Sequence, residues 1–190
     1  MPPEIASFSD PCRLRFILLK TAAVRRGEKP GELLRLYGSA MQRQRLVETV
    51  ALPCLELQSG PGWSLALFYH PAQLAAFLSR PENYRLLREC GYPASFEAEA
   101  QLAHLRLSFL REKMPHEIGV FVGYPAKDVR GFMARRPSQP VMRGDWVVFG
   151  EAGESLARMR SYRRASVMAG RLLAVCKDLP SFFEELVKAG

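Results

Sequence analysis

A chain of 190 residues, 48% hydrophobic and 24% charged, is long enough to bury a sizeable core and too apolar to be disordered. No apolar run approaches the roughly 20 residues that a membrane-spanning helix needs, and the start of the chain does not read as a secretory leader. The net charge of +8 favours either an anionic partner or a charged surface that only maintains solubility.

The N-terminal part of the chain predicts an arm followed by a helix. Residues 1–11 are rich in proline and polar side chains, which favours a loose arm, and residues 12–190 are expected to form a single α+β domain. A first helix is expected to begin at Asp10 or Pro11 and to continue to about Val24. A basic, glycine-containing turn follows it.

The next segments predict a second helix and a β-hairpin. The helix is expected to begin near Pro30, because proline suits the first helical turn, and to continue to about Val50 with a break at Gly38. The apolar runs 51–57 and 64–69 are separated by Ser-Gly-Pro-Gly. Two short apolar runs around such a turn predict the two strands of a hairpin.

Three helices are expected in the middle of the chain. One opens at Pro71, a second covers about Glu82–Cys90 and stops at Gly91, and a third begins after Ser95 as its N-cap. The polar face predicted for the third helix comprises Glu97, Gln101, His104, Ser108 and Arg111. Its predicted apolar face comprises Phe96, Ala103, Leu107 and Leu110.

A strand, a turn and a helix are predicted next. The strand is Ile118–Val122, and the helix opens at Pro125 and ends near Ala134. The segment Arg135–Gly144 is expected to be a loop and Asp145–Phe149 another strand. Together these elements predict an α+β fold, with a small, mostly antiparallel sheet of about four strands covered by several helices.

The C-terminal quarter predicts a long amphipathic helix over Glu151–Cys176 and a short helix with Pro180 at its start. At 100° per residue, the long helix places its apolar residues on one arc. These residues are Tyr162, Ala165, Met168, Ala169, Leu172, Leu173 and Cys176. The opposite arc carries Arg160, Arg163, Arg164 and Arg171, a face suited to phosphates or carboxylates or simply to solvent.

The four cysteines and three histidines do not predict a metal site. Cys12, Cys54, Cys90 and Cys176 lie far apart and form no CxxC pair, and no two histidines have HxxxH or HxH spacing. The expected state of the cysteines is that of reduced thiols in a cytoplasmic protein.

Three motifs carry a resemblance to a known family. Residues 115–132 read PHEIGVFVGYPAKDVRGF, residues 144–150 read GDWVVFG, and residues 162–164 read YRR. These blocks resemble the signature of the domain-of-unknown-function family DUF3793, and the resemblance covers nearly the whole chain. A cysteine often follows the aromatic–basic pair in the family, whereas this chain has Ala165 there.

The resemblance implies a bacterial protein but no established activity. It implies an association with flavodoxin-like and iron- or haem-handling functions in anaerobic bacteria. An association of this kind names no reaction, and a shared fold does not by itself assign a function. The chain is expected to be a binding or accessory protein more readily than an enzyme.

The densest group of candidate site residues lies in the 115–125 segment. His116 is suited to ligate iron or to act as a base, or else to cap the start of the predicted strand. Gly123 and Tyr124 precede a helix N-terminus, which favours an anion but also fits ordinary turn chemistry. Aromatic side chains expected either to line a flat pocket or to pack in the core are Tyr124, Trp146, Phe149 and Tyr162.

Three functional hypotheses follow from these residues. The first is a binding protein for an anionic planar ligand such as haem or another tetrapyrrole. His116 would contact the iron, and Tyr124 and Trp146 would form the walls. The side chains expected to meet the propionates are Arg160, Arg163 and Arg164.

The second hypothesis is a module that docks an acidic, flavodoxin-like redox partner through the arginine face. The third is a thiol-dependent enzyme with Cys12 as nucleophile and His116 as base. No nucleic-acid-binding module is recognisable.

Overall fold

A computed structural model of the chain describes residues 2–3, 10–134 and 139–189, and within these ranges it contains nine helices and two small sheets. The helices are α1 (Pro11–Arg25), α2 (Ala40–Val50), α3 (Pro71–Leu78), α4 (Pro81–Glu89), α5 (Ala98–Arg111), α6 (Ile118–Phe121), α7 (Ala126–Met133), α8 (Gly153–Val175) and α9 (Leu179–Lys188). The strands are β1 (Gly31–Tyr37), β2 (Cys54–Gly60), β3 (Trp63–Tyr69), β4 (Met142–Arg143) and β5 (Val147–Val148).

The larger sheet is antiparallel and has the order β1-β3-β2. The predicted hairpin is confirmed as β2 and β3, and β1 adds to the other side of β3 with Leu33 opposite Leu67. A bulge at Leu57 interrupts the pairing between Glu56 and Gln58. A bulge twists an edge strand, and this one shifts β2 by one residue against its partner.

Each face of this sheet is covered by helices, so the fold has three layers. On one face, Leu34, Leu36, Ala66 and Phe68 pack in one core with α1, α2, α8 and α9. On the other face, Leu65 and Leu67 pack in a second core with α3 to α7. Successive strand residues point to opposite faces, so a sheet buried on both faces carries a nearly continuous apolar run such as that of β3.

The predicted helix from Pro30 to Val50 is wrong in its first half. Residues Gly31–Tyr37 form β1, and the helix begins only at Ala40, with Ser39 and Gln42 in a reciprocal capping box. Leucines cluster in this segment in a spacing that fits a helix as well as a strand. The partner that decides between the two is β3, which lies about thirty residues further along the chain.

The predicted strand Ile118–Val122 is also wrong, because Ile118–Phe121 forms the short helix α6. All four of its residues are buried, so its side chains face the core without any strand pairing. Of the predicted strand Asp145–Phe149, only Val147–Val148 pairs, with β4. The sheet of about four strands is therefore a three-stranded sheet and a separate two-stranded one.

Helix α5 packs through a different face from the predicted one. The buried row is Leu102, Leu105 and Phe109, whereas Leu107 and Leu110 are exposed. Gln101 is buried although it is polar, and its side-chain amide donates to the carbonyl oxygens of Pro93 (3.2 Å) and Ser95 (2.5 Å). Those two bonds offset the cost of burying the amide nitrogen.

The long C-terminal helix is confirmed as α8, and its buried side agrees with the predicted arc. Ala165, Ala169 and Leu173 are buried against α1, while Arg160 and Arg164 are exposed. The predicted first and last helices are confirmed as α1 and α9.

The loose arm predicted for residues 1–11 falls mostly on positions outside the described residues, as do residues 135–138 of the predicted loop. None of the described helices has both the length and the apolarity required to cross a membrane.

Candidate functional site

A cleft of about 510 Å³ lies beside the start of β1, where the turn between α6 and α7 meets the two-stranded sheet. Most of its lining is apolar. The residues that form it are Lys29, Glu32, Leu33, Met114, His116, Ile118, Gly119, Val122, Tyr124, Asp128, Val129, Phe132, Asp145, Trp146 and Val147. A smaller hollow of about 300 Å³ adjoins the cleft, shares Tyr124 and Trp146 with it, and adds Tyr162 and Arg163.

Two glycines allow the elements around the cleft to approach closely. Gly123 has a φ of +86°, and a Cβ built there would lie 2.5 Å from the Tyr162 hydroxyl and 2.8 Å from Cδ of Pro30. The Tyr162 hydroxyl donates to the Gly123 carbonyl oxygen at 3.2 Å. A Cβ at Gly119 would lie 2.9 Å from Cγ2 of Val129. Gly123 therefore has the positive φ that turn chemistry predicted, and both glycines also allow close packing, which the sequence did not predict.

One wall of the cleft is a pair of stacked aromatic rings. The ring centroids of Tyr124 and Trp146 are 4.5 Å apart with an angle of 22° between their planes, and Tyr162 lies 6.4 Å from Trp146. Burial, together with the nearby carboxylates of Glu32 and Asp145, raises the pKa of Tyr124 to about 12. The Tyr124 hydroxyl is therefore neutral at physiological pH, and this wall presents flat, uncharged surface.

Asp128 holds the aromatic wall in place from behind. The residue is 2% exposed, and its carboxylate accepts hydrogen bonds from Nε1 of Trp146 (2.8 Å), the backbone N–H of Phe149 (2.9 Å) and the Ser155 hydroxyl (2.6 Å). Nζ of Lys127 lies 2.7 Å from the same carboxylate. Burial alone would raise the pKa of Asp128, but these donors outweigh it and lower the pKa below its ordinary value. The carboxylate is thus ionised and fully engaged in positioning Trp146.

The other charges of the cleft are paired with each other. Nζ of Lys29 lies 2.5 Å from the Glu32 carboxylate and 5.0 Å from the ring centroid of Tyr162. Asp145 accepts from the guanidinium of Arg163 at 2.6 Å. Because Lys29 of the cleft and Arg163 of the adjoining hollow each face a carboxylate, neither offers an unpaired positive charge.

His116 lies exposed at the edge of the cleft, just before α6. Its ring makes an edge-on contact with Phe132 at a centroid distance of 5.0 Å, and its nitrogens make no hydrogen bond with a described residue. His116 also lines an adjoining hollow of about 360 Å³ with Cys90, His104 and Glu117. Glu117 points away from the cleft and accepts a bond of 3.2 Å from the Tyr92 hydroxyl.

The structure brings together some of the predicted site residues and separates others. His116, Tyr124 and Trp146 line the cleft, Gly123 supports it, and the adjoining hollow adds Tyr162 and Arg163. Phe149 instead packs in the core, and Arg160 and Arg164 lie on the exposed face of α8.

Cys12, the predicted nucleophile, is remote from these residues along α1. It is exposed on the first turn of that helix, whereas the backbone N–H of Lys29 in the cleft donates to the carbonyl oxygen of Ala23, about 16 Å further along the helix axis at 1.5 Å per residue. Neither of the two hollows that His116 lines includes Cys12. The predicted Cys12–His116 pair has no geometric support here.

Among the described residues, no group of three or more histidine, cysteine, aspartate or glutamate side chains is arranged to hold a metal ion.

Lys29, Glu32 and Asp128 are cleft residues that the sequence did not single out. Lys29 and Glu32 flank the start of β1, which was predicted as helix, so no sequence pattern placed them near the 115–132 motif. A signal for Asp128 did exist, since an aspartate in the first turn of α7 is expected to stabilise the helix dipole. The helix dipole explains why an aspartate stands at this position, but it does not predict that the carboxylate accepts a hydrogen bond from Trp146.

These features define a class of protein: an α+β chain whose antiparallel sheet lies between two helical layers and borders an aromatic-walled cleft. The family described as "Protein of unknown function (DUF3793)" matches residues 17–182, and the chain belongs to that family. The match includes every residue of the cleft and leaves out Cys12. A search of the curated proteins and a search of the solved structures each gave no match.

Proposed function

We propose that the cleft binds a planar, largely apolar small molecule, and that the ligand is a tetrapyrrole such as haem. The observation that carries the proposal is the stacked pair of Tyr124 and Trp146 in a cleft of about 510 Å³. A volume of this size suits a cofactor-sized ligand, and such sites combine apolar walls with a few placed polar groups. Asp128 holds the indole ring in place before any ligand arrives, which lowers the entropic cost of binding.

His116 supplies the polar group that distinguishes haem from other flat ligands. Its ring lies at the rim and makes no hydrogen bond with a described residue, so an imidazole nitrogen is available to an iron atom. Neutral imidazole is a common axial ligand of haem iron. In this proposal the macrocycle packs against Tyr124 and Trp146, and His116 contributes to affinity only when iron is present.

We expect haemin to shift its Soret band on addition to the reduced protein, and His116→Ala to weaken that binding at least about tenfold, because one coordination bond is lost. Iron-free protoporphyrin IX should bind both proteins equally, since the aromatic wall is intact in each. The measurement is a pair of absorption and fluorescence titrations.

The matched control is His70→Asn. His70 caps α3 by accepting from the Gln73 backbone N–H, a role that asparagine also fills, and it does not line the cleft. This variant should bind haemin as the parent does. If neither haemin nor protoporphyrin IX changes its spectrum with the parent protein, the proposed function is wrong.

A second candidate function is docking to an acidic protein through the exposed face of α8. Arg160, Arg164 and Arg171 are exposed on this face and form no ion pair with any described residue. They extend over about 16 Å of helix. Unpaired cations in a row favour an acidic surface and speed its encounter with the protein.

For this docking surface, we expect the double variant Arg160→Glu and Arg164→Glu to lower the affinity for an acidic flavodoxin at least about tenfold in 50 mM salt. The effect should shrink as salt is added, because exposed charges are screened. Calorimetry against purified flavodoxin measures it. A variant with Arg85→Glu and Arg143→Glu changes the same charge at exposed positions on other elements. Equal losses in both double variants would contradict a specific docking face.

A further inference from the structure

A second groove, of about 640 Å³, lies between the larger sheet and the C-terminal end of α5. Its floor is formed by side chains of all three strands of the sheet, and its wall by α5 and the residues just after it. The lining residues are Arg35, Glu56, Leu57, Gln58, Ser59, Trp63, Arg106, Leu110 and Lys113. None of these residues was singled out as a site by the sequence.

The groove carries an excess of unpaired positive charge. Arg35, Arg106 and Lys113 are exposed and form no ion pair with any described residue, and the only carboxylate among the lining residues is Glu56. The guanidinium carbon of Arg35 lies 4.6 Å from the centroid of the Trp63 ring. Stacking on the indole fixes the plane of the guanidinium and leaves its N–H groups free for an anion.

The groove adjoins the cleft. Leu33 lines the cleft and Arg35 lines the groove, and these two side chains lie on the same face of β1, about 7 Å apart along the strand. On the opposite wall, Met114 belongs to the cleft and Lys113 to the groove. A ligand that fills the cleft can therefore extend over Leu33 and Met114 toward the three cations.

We propose that this groove is an anion-binding site that receives the carboxylate or phosphate groups of the ligand held in the cleft. The proposal rests on the proposed function for the position of the flat part of that ligand. Lys29 of the cleft and Arg163 of the adjoining hollow are already paired with carboxylates, whereas the cations of the groove form no ion pair with a described residue. An anionic end is thus attracted to the groove, where arginine can bind it through two parallel hydrogen bonds.

The first test compares haemin with its dimethyl ester, which lacks the two negative charges. We expect the double variant Arg35→Gln and Lys113→Gln to weaken haemin binding at least about tenfold and to leave ester binding unchanged, because only the charged ligand uses the groove. The control is Arg160→Gln with Arg171→Gln, which removes the same charge from α8. Equal affinities of the groove variant and this control for haemin would exclude the propionates as the groove's ligand.

The second test does not depend on tetrapyrrole binding. The chain has two tryptophans, Trp63 in the groove and Trp146 in the cleft, so inorganic pyrophosphate bound in the groove should change the fluorescence of Trp63. That change should disappear in Trp63→Phe and in the groove variant. If the fluorescence change disappears in these variants while the groove variant still binds haemin as its control does, the groove is a phosphate site and not the site of the propionates.

The two tests also separate the two proposals. If haemin and protoporphyrin IX do not bind at all, the proposed function fails, and the pyrophosphate titration still decides whether the groove binds anions. If pyrophosphate leaves the fluorescence unchanged and the groove variant binds haemin as its control does, the groove is not an anion site and this inference is overturned.

Discussion

Replacing Asp128 by alanine is expected to lower the free energy of unfolding by about 4 kcal/mol, because it leaves buried donors without an acceptor. The Trp146 indole N–H, the Phe149 backbone N–H and the Ser155 hydroxyl all donate to this carboxylate, and Lys127 is its ionic partner. In a chain of this length, that loss corresponds to a fall of roughly 10 °C in Tm. Thermal unfolding at pH 7 measures it.

The effect of this substitution depends on pH in a defined direction. The pKa of Asp128 is lowered in the folded protein, so its ionised form stabilises the fold at any pH above the ordinary pKa of an aspartate, about 3.9. This stabilisation is lost as the pH falls through the lowered pKa. The difference between parent and Asp128→Ala should therefore be constant near neutrality and should narrow below about pH 4.

Asp145→Ala is the matched control for Asp128→Ala. Asp145 is also an aspartate at the cleft, but it is exposed and its partner is the exposed guanidinium of Arg163. Exposed ion pairs contribute little to stability because solvent screens them, so the stability of this variant should be nearly that of the parent. A similar loss in both variants would show that the buried network does not have the role assigned to it.

The sequence could predict those elements whose evidence is local. The hairpin of β2 and β3 is marked by its turn, and α1, α8 and α9 are marked by caps, prolines and a long apolar arc. Strand β1 could not be predicted in this way, because a short leucine-rich segment fits a helix and a strand equally well. It becomes a strand because β3 offers it a full set of backbone partners.

The candidate site was predictable from residue types and from clustering in the sequence, but not from contacts between distant segments. His116 and Tyr124 lie in a segment, residues 115–125, that is unusually rich in glycine, proline and aromatic residues. Periodicity grouped Arg163 with Arg160 and Arg164, yet Arg163 lies on the edge of that arc and reaches Asp145. No pattern predicts that Asp145, in a different element, lies within reach. Lys29 reaches the cleft through the same kind of nonlocal contact.

Replacing Gly123 by alanine is the second change expected to have a large effect, with a loss of about 3 kcal/mol in the free energy of unfolding. Two costs combine. An L residue at a φ of +86° is strained by about 1–2 kcal/mol. The added methyl group would also lie 2.5 Å from the Tyr162 hydroxyl and 2.8 Å from Pro30, so the packing around it must shift. Denaturant unfolding of the parent and of Gly123→Ala measures the combined loss in the free energy of unfolding.

Gly91→Ala separates the two costs, because Gly91 has a nearly identical φ of +88° and no atom within 4 Å of an added Cβ. It should cost about 1–2 kcal/mol, from backbone strain alone. The excess loss in Gly123→Ala then measures how tightly the turn before α7 is packed against Tyr162 and Pro30. Because Tyr162 lies beside Trp146, Gly123→Ala should also weaken protoporphyrin IX binding, whereas Gly91→Ala should leave it unchanged. Equal effects of the two variants on stability and on binding would mean that close packing at Gly123 does not shape the cleft.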